Sequence, residues 1–141
     1  MRDRAAVLSE VRSAFEQYER ALVRHDVEAL NGFFLDSAHS VRYGIGEQHY
    51  GFEAIAAGRR SALPVHPQRR LLHTVVTSYG DDIACVSAEF TDPATVGVGR
   101  QTQTWVRTSE GWKIAVAHVS VAHDGKAHGG NAHDGEAPGA R

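Results

Sequence analysis

The sequence predicts an α+β domain, with helices first and long antiparallel strands after, the helices packed on one face of a curved sheet. Three observations predict it. An apolar stripe of helical period runs from Val7 to Leu22. Beyond Pro67 the period changes to two and holds to Val121. The length, 141 residues, supplies one core and is too short for two.

In the first helix Val7, Val11, Phe15, Tyr18 and Leu22 fall on one face, while Arg12, Glu16, Glu19 and Arg20 fall mainly on the other. Asp26 has the chemistry of an N-cap for a short second helix carrying Leu30, Phe33 and Phe34. Ser40 to Ile45 reads as a strand ended by Gly44 and Gly46. Gly51 to Ala62 reads as a third helix, closed by Pro64 and Pro67. Arg70–Tyr79 and Ile83–Thr91 are strands joined by a turn at Gly80-Asp81-Asp82. Arg100–Thr108 and Trp112–Val121 form a second pair, and Gly111 in their loop is available for a positive φ. From about Ala122 onward Gly and Ala dominate and no large apolar residue remains. A flexible tail over 122–141 is expected, because nothing there offsets the entropy of ordering. The tail's histidines, five apart, suit no helix face, so metal binding there would be incidental.

Composition removes several functions. Apolar residues make up 42% and charged residues 23%, with a formal charge of −2. That balance is globular and offers no basic excess for a phosphate backbone, which argues against nucleic-acid binding. No run approaches the roughly 18 apolar residues of a membrane span, and the N-terminus lacks the apolar core of a signal peptide. The single cysteine, Cys85, lies in an apolar run and reads as an inert thiol. A cytoplasmic location is therefore expected. Of the fifteen basic residues thirteen are Arg. A GC-rich genome gives that skew, but Arg is also the side chain best shaped for carboxylates. No phosphate loop, nucleophile elbow or zinc spacing occurs outside the tail.

Five segments in order carry a resemblance. They are Phe15-Glu16-Gln17-Tyr18-Glu19-Arg20-Ala21-Leu22, Val41-Arg42-Tyr43-Gly44-Ile45-Gly46-Glu47, Tyr50-Gly51-Phe52-Glu53-Ala54-Ile55, Gly99-Arg100-Gln101-Thr102-Gln103-Thr104-Trp105, and Gly111 through Ser120. Over roughly residues 5–121 the chain resembles the AtzH-like family of small proteins from dicarboxyurea and oxalurate catabolism. That family lies within the nuclear-transport-factor-2-like (NTF2-like), or SnoaL-like, superfamily. The resemblance implies a cone-shaped domain, residues 1–121, whose curved antiparallel sheet wraps the first helix around a pocket. It also implies homodimers through the outer sheet face and a place in nitrogen catabolism. One reading is a metal-free, cofactor-free amidohydrolase on a carboxylated urea. Another is a non-catalytic accessory of a larger amidase. A third, a ketosteroid-isomerase-like pocket, would want an acidic base inside the cone. The one strand carboxylate, Glu89, shares its face with Cys85 and Ser87.

Strand parity points Arg42 away from Val41 and Tyr43, toward solvent or the pocket. The resemblance makes it the carboxylate anchor, a task suited to a bidentate fork. Glu47 is placed to orient it. On spacing alone Tyr18 is a core aromatic; the resemblance makes it the second catalytic residue, moving a proton to or from water or the leaving nitrogen. Gln101, Gln103 and Trp105 share one strand face, whose amides suit a urea. Solvent-facing alternation is the other reading of that strand. His118 shares parity with Trp112, Ile114 and Val116. It reads as a core histidine or a pocket group that polarises a carbonyl. Arg59 matches a family arginine. Gly58 stands where the family usually has an aromatic, and Ala62 where a second Arg is common; that departure bears on the substrate.

Overall fold

The computed structural model describes residues 4–128 and 133–136. Three helices precede the strands: α1 (Arg4–Arg24), α2 (Val27–Gly32) and, after two short strands, α3 (Phe52–Ser61). The strands are β1 (Val41–Gly44), β2 (Glu47–Tyr50), β3 (Arg70–Ser78), β4 (Ile83–Thr91), β5 (Val98–Thr108), β6 (Gly111–Ala122) and β7 (His133–Glu136). They form one curved sheet in the order β2-β1-β6-β5-β4-β3-β7. Pairing is antiparallel except β1 on β6 and β7 on β3, which are parallel.

Each expected element is present, for local reasons. The α1 stripe is buried along Val7, Val11, Phe15, Tyr18 and Leu22. Asp26 caps α2, its carboxylate accepting from the Ala29 amide at 3.1 Å. Phe33 is the C-cap of α2 rather than a helical residue. Phe34 bridges in parallel to Ile114, which starts the chain along β6. Alternation buries Thr74, Val76 and Ser78 on β3 and Ala84, Val86, Ala88 and Phe90 on β4. Their sheet face closes on α1, with Trp105 and Phe15 sealed between them. Cys85 points to the opposite face, half-buried, its Sγ 3.7 Å from Thr104 Oγ1. No helix among the described residues is long and apolar enough to cross a membrane.

Three features differ from the local reading. β2 occupies Glu47-Gln48-His49-Tyr50, too polar to announce a strand, and it exists because it pairs with β1, Arg42 opposite His49. On β6, Ala115 is an extra residue: Thr104 opposes Val116 but Trp105 opposes Ile114. The bulge reverses parity beyond it. Trp112 and Ile114 are buried, then Ala117, while Val116 and His118 turn outward and are exposed. His118 therefore does not share a face with Trp112 and Ile114. Finally, part of the expected tail is ordered. His133–Glu136 pairs with Val75–Ser78 on the sheet edge, gaining backbone hydrogen bonds that composition does not reveal. Residues 129–132 and 137–141 of that tail lie outside the described residues.

Candidate functional site

The concave side of the sheet leaves a cavity of about 80 Å³ beside α1 and α3. Tyr18 from α1, Arg42 from β1, Arg59 from α3, Arg69 at the start of β3, and Gln101 and Gln103 from β5 line it, with Leu22, Val65 and Ala117 as apolar wall. Tyr18 is only 4% exposed. Its ring is fixed by edge-on contacts with Phe33 at 5.8 Å and Trp105 at 6.4 Å.

The helix register of α1 aims the Tyr18 hydroxyl at α3. There Arg59 Nη2 donates to it at 3.1 Å. Arg59 is 7% exposed and sits at the last turn of α3, where the helix dipole favours a cation. Arg42 takes a different partner, as parity and Glu47 predict: Nη1 donates to Glu47 Oε1 at 2.8 Å. That bond holds the Glu47 carboxyl below its ordinary value, against the opposing effect of burial; the charges of Arg42, His49 and Arg59 add to the lowering. Tyr18 and Arg42 thus line one cavity, while the residue that touches Tyr18 is Arg59.

Arg69 is the residue that sequence reasoning misses. It follows the Pro67 turn, beside Arg70, and reads as the solvated start of a strand. In the fold its side chain is 6% exposed. Nε and Nη2 donate to the two Glu19 carboxylate oxygens at 3.0 and 3.4 Å, and the guanidinium lies 3.9 Å over the Phe90 ring. Glu19 stands four residues after Phe15 and three before Leu22, at the margin of the α1 stripe. That spacing is the one signal that could have moved it from the solvated face.

The remaining candidates separate. Gln101 Nε2 donates to Glu19 Oε2 at 2.8 Å, and Gln103 Oε1 accepts from Trp105 Nε1 at 3.0 Å. Trp105 is fully buried behind the cavity and supports Tyr18 rather than lining it. His118 lines the cavity together with Tyr43 and Val119, and its ring stands edge-on to the Tyr43 ring at 5.4 Å. His49 explains Gly58: a Cβ on Gly58 would lie 2.5 Å from the His49 ring. Glu89 lies on the other face, bonded to the His128 amide and ring at 2.8 and 2.7 Å. Burial raises its carboxyl, and the His128 bonds outweigh that and lower it.

A helix-first chain whose curved sheet encloses a small polar cavity has the NTF2-like fold. The architecture is shared with an NTF2-like protein from Pseudomonas putida KT2440, at 21% identity over 90% of this chain and 96% of that one, TM-score 0.73. At that identity the likeness concerns fold alone. Within this class the chain belongs to the AtzH-like family, whose profile matches residues 1–125. Two nearer structures agree. One is a cystatin-like fold protein from Burkholderia xenovorans LB400, 51% identical over 82% of this chain and 92% of that one, TM-score 0.80. The other is a DUF3225-family protein from Pectobacterium atrosepticum SCRI1043, 46% identical over 84% and 92%, TM-score 0.80. No curated protein matches the chain.

Proposed function

We propose that the chain is an amidohydrolase acting on a small carboxylated urea-type compound, dicarboxyurea or a close relative. The observation that carries this is the meeting of Tyr18, Arg42 and Arg59 in one cavity. Its volume, about 80 Å³, is well below the roughly 300–1,000 Å³ of drug-sized pockets. A steroid-sized ligand does not fit, and among the described residues no acidic side chain lines the cavity as a base.

In this reading Arg42, braced by Glu47, offers its remaining donors to the substrate carboxylate. Arg59 can only donate, so the Tyr18 oxygen accepts from it and the phenol's own proton is free to turn into the cavity. Tyr18 then gives that proton to the leaving nitrogen and recovers one from the attacking water. The water oxygen bonds the carbonyl carbon, the C–N bond breaks, and the proton ends on nitrogen. A carbamic acid released in this way loses carbon dioxide on its own.

The test follows substrate loss and carbon dioxide release from dicarboxyurea by NMR. Tyr18→Phe should reduce the rate about 10²- to 10⁴-fold, the usual contribution of a general acid–base. Arg42→Ala should chiefly raise KM. Equal rates in wild type and both variants, or no turnover by wild type, overturns the proposal.

A further inference from the structure

We infer that Arg69 is a second carboxylate anchor, so that the cavity takes a ligand with an anionic group at each end and an amide-like centre. The inference rests on the proposed function and assigns the residue that meets the substrate's far carboxylate.

Strand order sets the spacing. Arg42 stands on β1, Gln101 and Gln103 on β5, and Arg69 just before β3. The strands run β1-β6-β5-β4-β3 across the sheet, and all four side chains line the one cavity. The two guanidinium groups therefore approach it from opposite ends, with the amides between them.

The two ends are built alike. At each, a carboxylate outside the lining holds the guanidinium by part of its donor set. Glu47 takes Arg42 Nη1 at 2.8 Å, and Glu19 takes Arg69 Nε and Nη2 at 3.0 and 3.4 Å. The Phe90 ring centre, 3.9 Å from Arg69 Cζ, fixes the plane. A guanidinium carries five N–H donors in a rigid fork. Glu19 spends the side-on pair of Arg69 and leaves the end-on pair, one N–H each from Nη1 and Nη2. Nη1 has no partner among the described residues and is not among the buried atoms left without one, so it reaches open space. Glu19 itself borders an outer groove with Arg20, Val23 and Leu71. The edge it leaves is the one on the cavity side. That edge is held rigid on a side chain 6% exposed, and its two parallel donors match the two oxygens of a carboxylate.

The amides suit the centre. A carboxylate accepts only, so Gln101 gives Glu19 its nitrogen at 2.8 Å and keeps its oxygen. An indole N–H donates only, so Gln103 gives Trp105 its oxygen at 3.0 Å and keeps its nitrogen. An acceptor beside a donor complements the N–H and C=O of a urea. Carboxylate, urea and carboxylate thus meet Arg42, the two amides and Arg69 in order.

Glutarate and glutaramate test the anchor. Glutarate keeps the three-atom span between the carboxyls of a dicarboxyurea, and glutaramate replaces one carboxylate by a neutral amide of the same size. Calorimetric titration of wild type at pH 8, with carboxyls ionised, should give glutarate at least roughly tenfold tighter binding than glutaramate. Arg69→Lys keeps a charge for Glu19 but loses the fork, and should reduce that preference about fivefold or more. Arg70→Lys, at the exposed neighbour, should leave it unchanged. A merely structural Arg69 would lower Tm without moving the ratio. Equal binding of the two ligands by wild type overturns the inference, as does binding of neither, or an unchanged ratio in folded Arg69→Lys. The wild-type pair decides alone if that variant does not fold. Dicarboxyurea turnover with equal binding overturns the anchor and leaves the amidohydrolase reading standing. A glutarate preference without turnover overturns that reading and leaves Arg69 as the anchor of a dicarboxylate pocket.

Discussion

Replacing Arg59 by Met separates a ligand-binding charge from a fold-holding one. The substitution removes the hydrogen bond to Tyr18, 3.1 Å long and charge-assisted, a contribution of about 1.5–3 kcal/mol. It also removes a guanidinium that is 7% exposed and has no contacting carboxylate among the described residues. Desolvating such an ion costs several kcal/mol, and replacing buried ions by apolar groups of similar volume is often neutral or stabilising. The two effects nearly cancel. The unliganded variant should unfold within about 1 kcal/mol of wild type, which is about 4 °C in Tm for a domain of this size. Binding behaves differently. Truncating one partner of a buried charge pair costs about 2–5 kcal/mol, so affinity for malonate, an inert dicarboxylate, should fall roughly 30-fold or more. Differential scanning calorimetry with and without malonate reads both quantities. A loss of more than about 3 kcal/mol in the unliganded protein, the signature of a broken buried pair, would refute the reasoning.

Two further outcomes follow from side chains around the cavity. The Glu47 carboxyl is lowered from 4.5 chiefly by its bond to Arg42, so it stabilises the fold above pH 4.5 and loses that effect as pH falls through the lower folded value. Wild type should therefore exceed Glu47→Gln in Tm near neutrality, with the gap closing in acid; a gap that widens in acid contradicts the pairing. Gly58→Ala places a Cβ 2.5 Å from the His49 ring and should cost about 1–3 kcal/mol by overpacking. Adding His49→Ala should restore most of it, and additive losses in denaturant unfolding would show that the ring is not the obstacle.

Local periodicity made most of the fold legible. The four-and-three spacing of Val7, Val11, Phe15, Tyr18 and Leu22 fixes a helix and its buried face, and alternation along Ile83–Thr91 fixes a strand and its two faces. Both patterns are written in neighbours, so no distant residue is needed to read them. By the same logic Tyr18 lay on the core stripe and Arg42 opposite its apolar neighbours. Pairing decided the rest. β2 is a strand only because β1 lies beside it, and the extra residue Ala115 turns His118 outward only because β5 sets the register. The site's charges are non-local too: Arg69 meets Glu19 across fifty positions, and Arg59 meets Tyr18 across forty-one. An arginine's role depends on whether a carboxylate reaches it, and that is a property of the folded chain. The sequence by itself determined the helices, the long strands and the buried face that carries Tyr18. Only the tertiary structure decided that Glu19 reaches Arg69 and that Arg59, with no carboxylate within 4 Å among the described residues, meets the Tyr18 hydroxyl, because burial and pairing arise when distant segments close on one another.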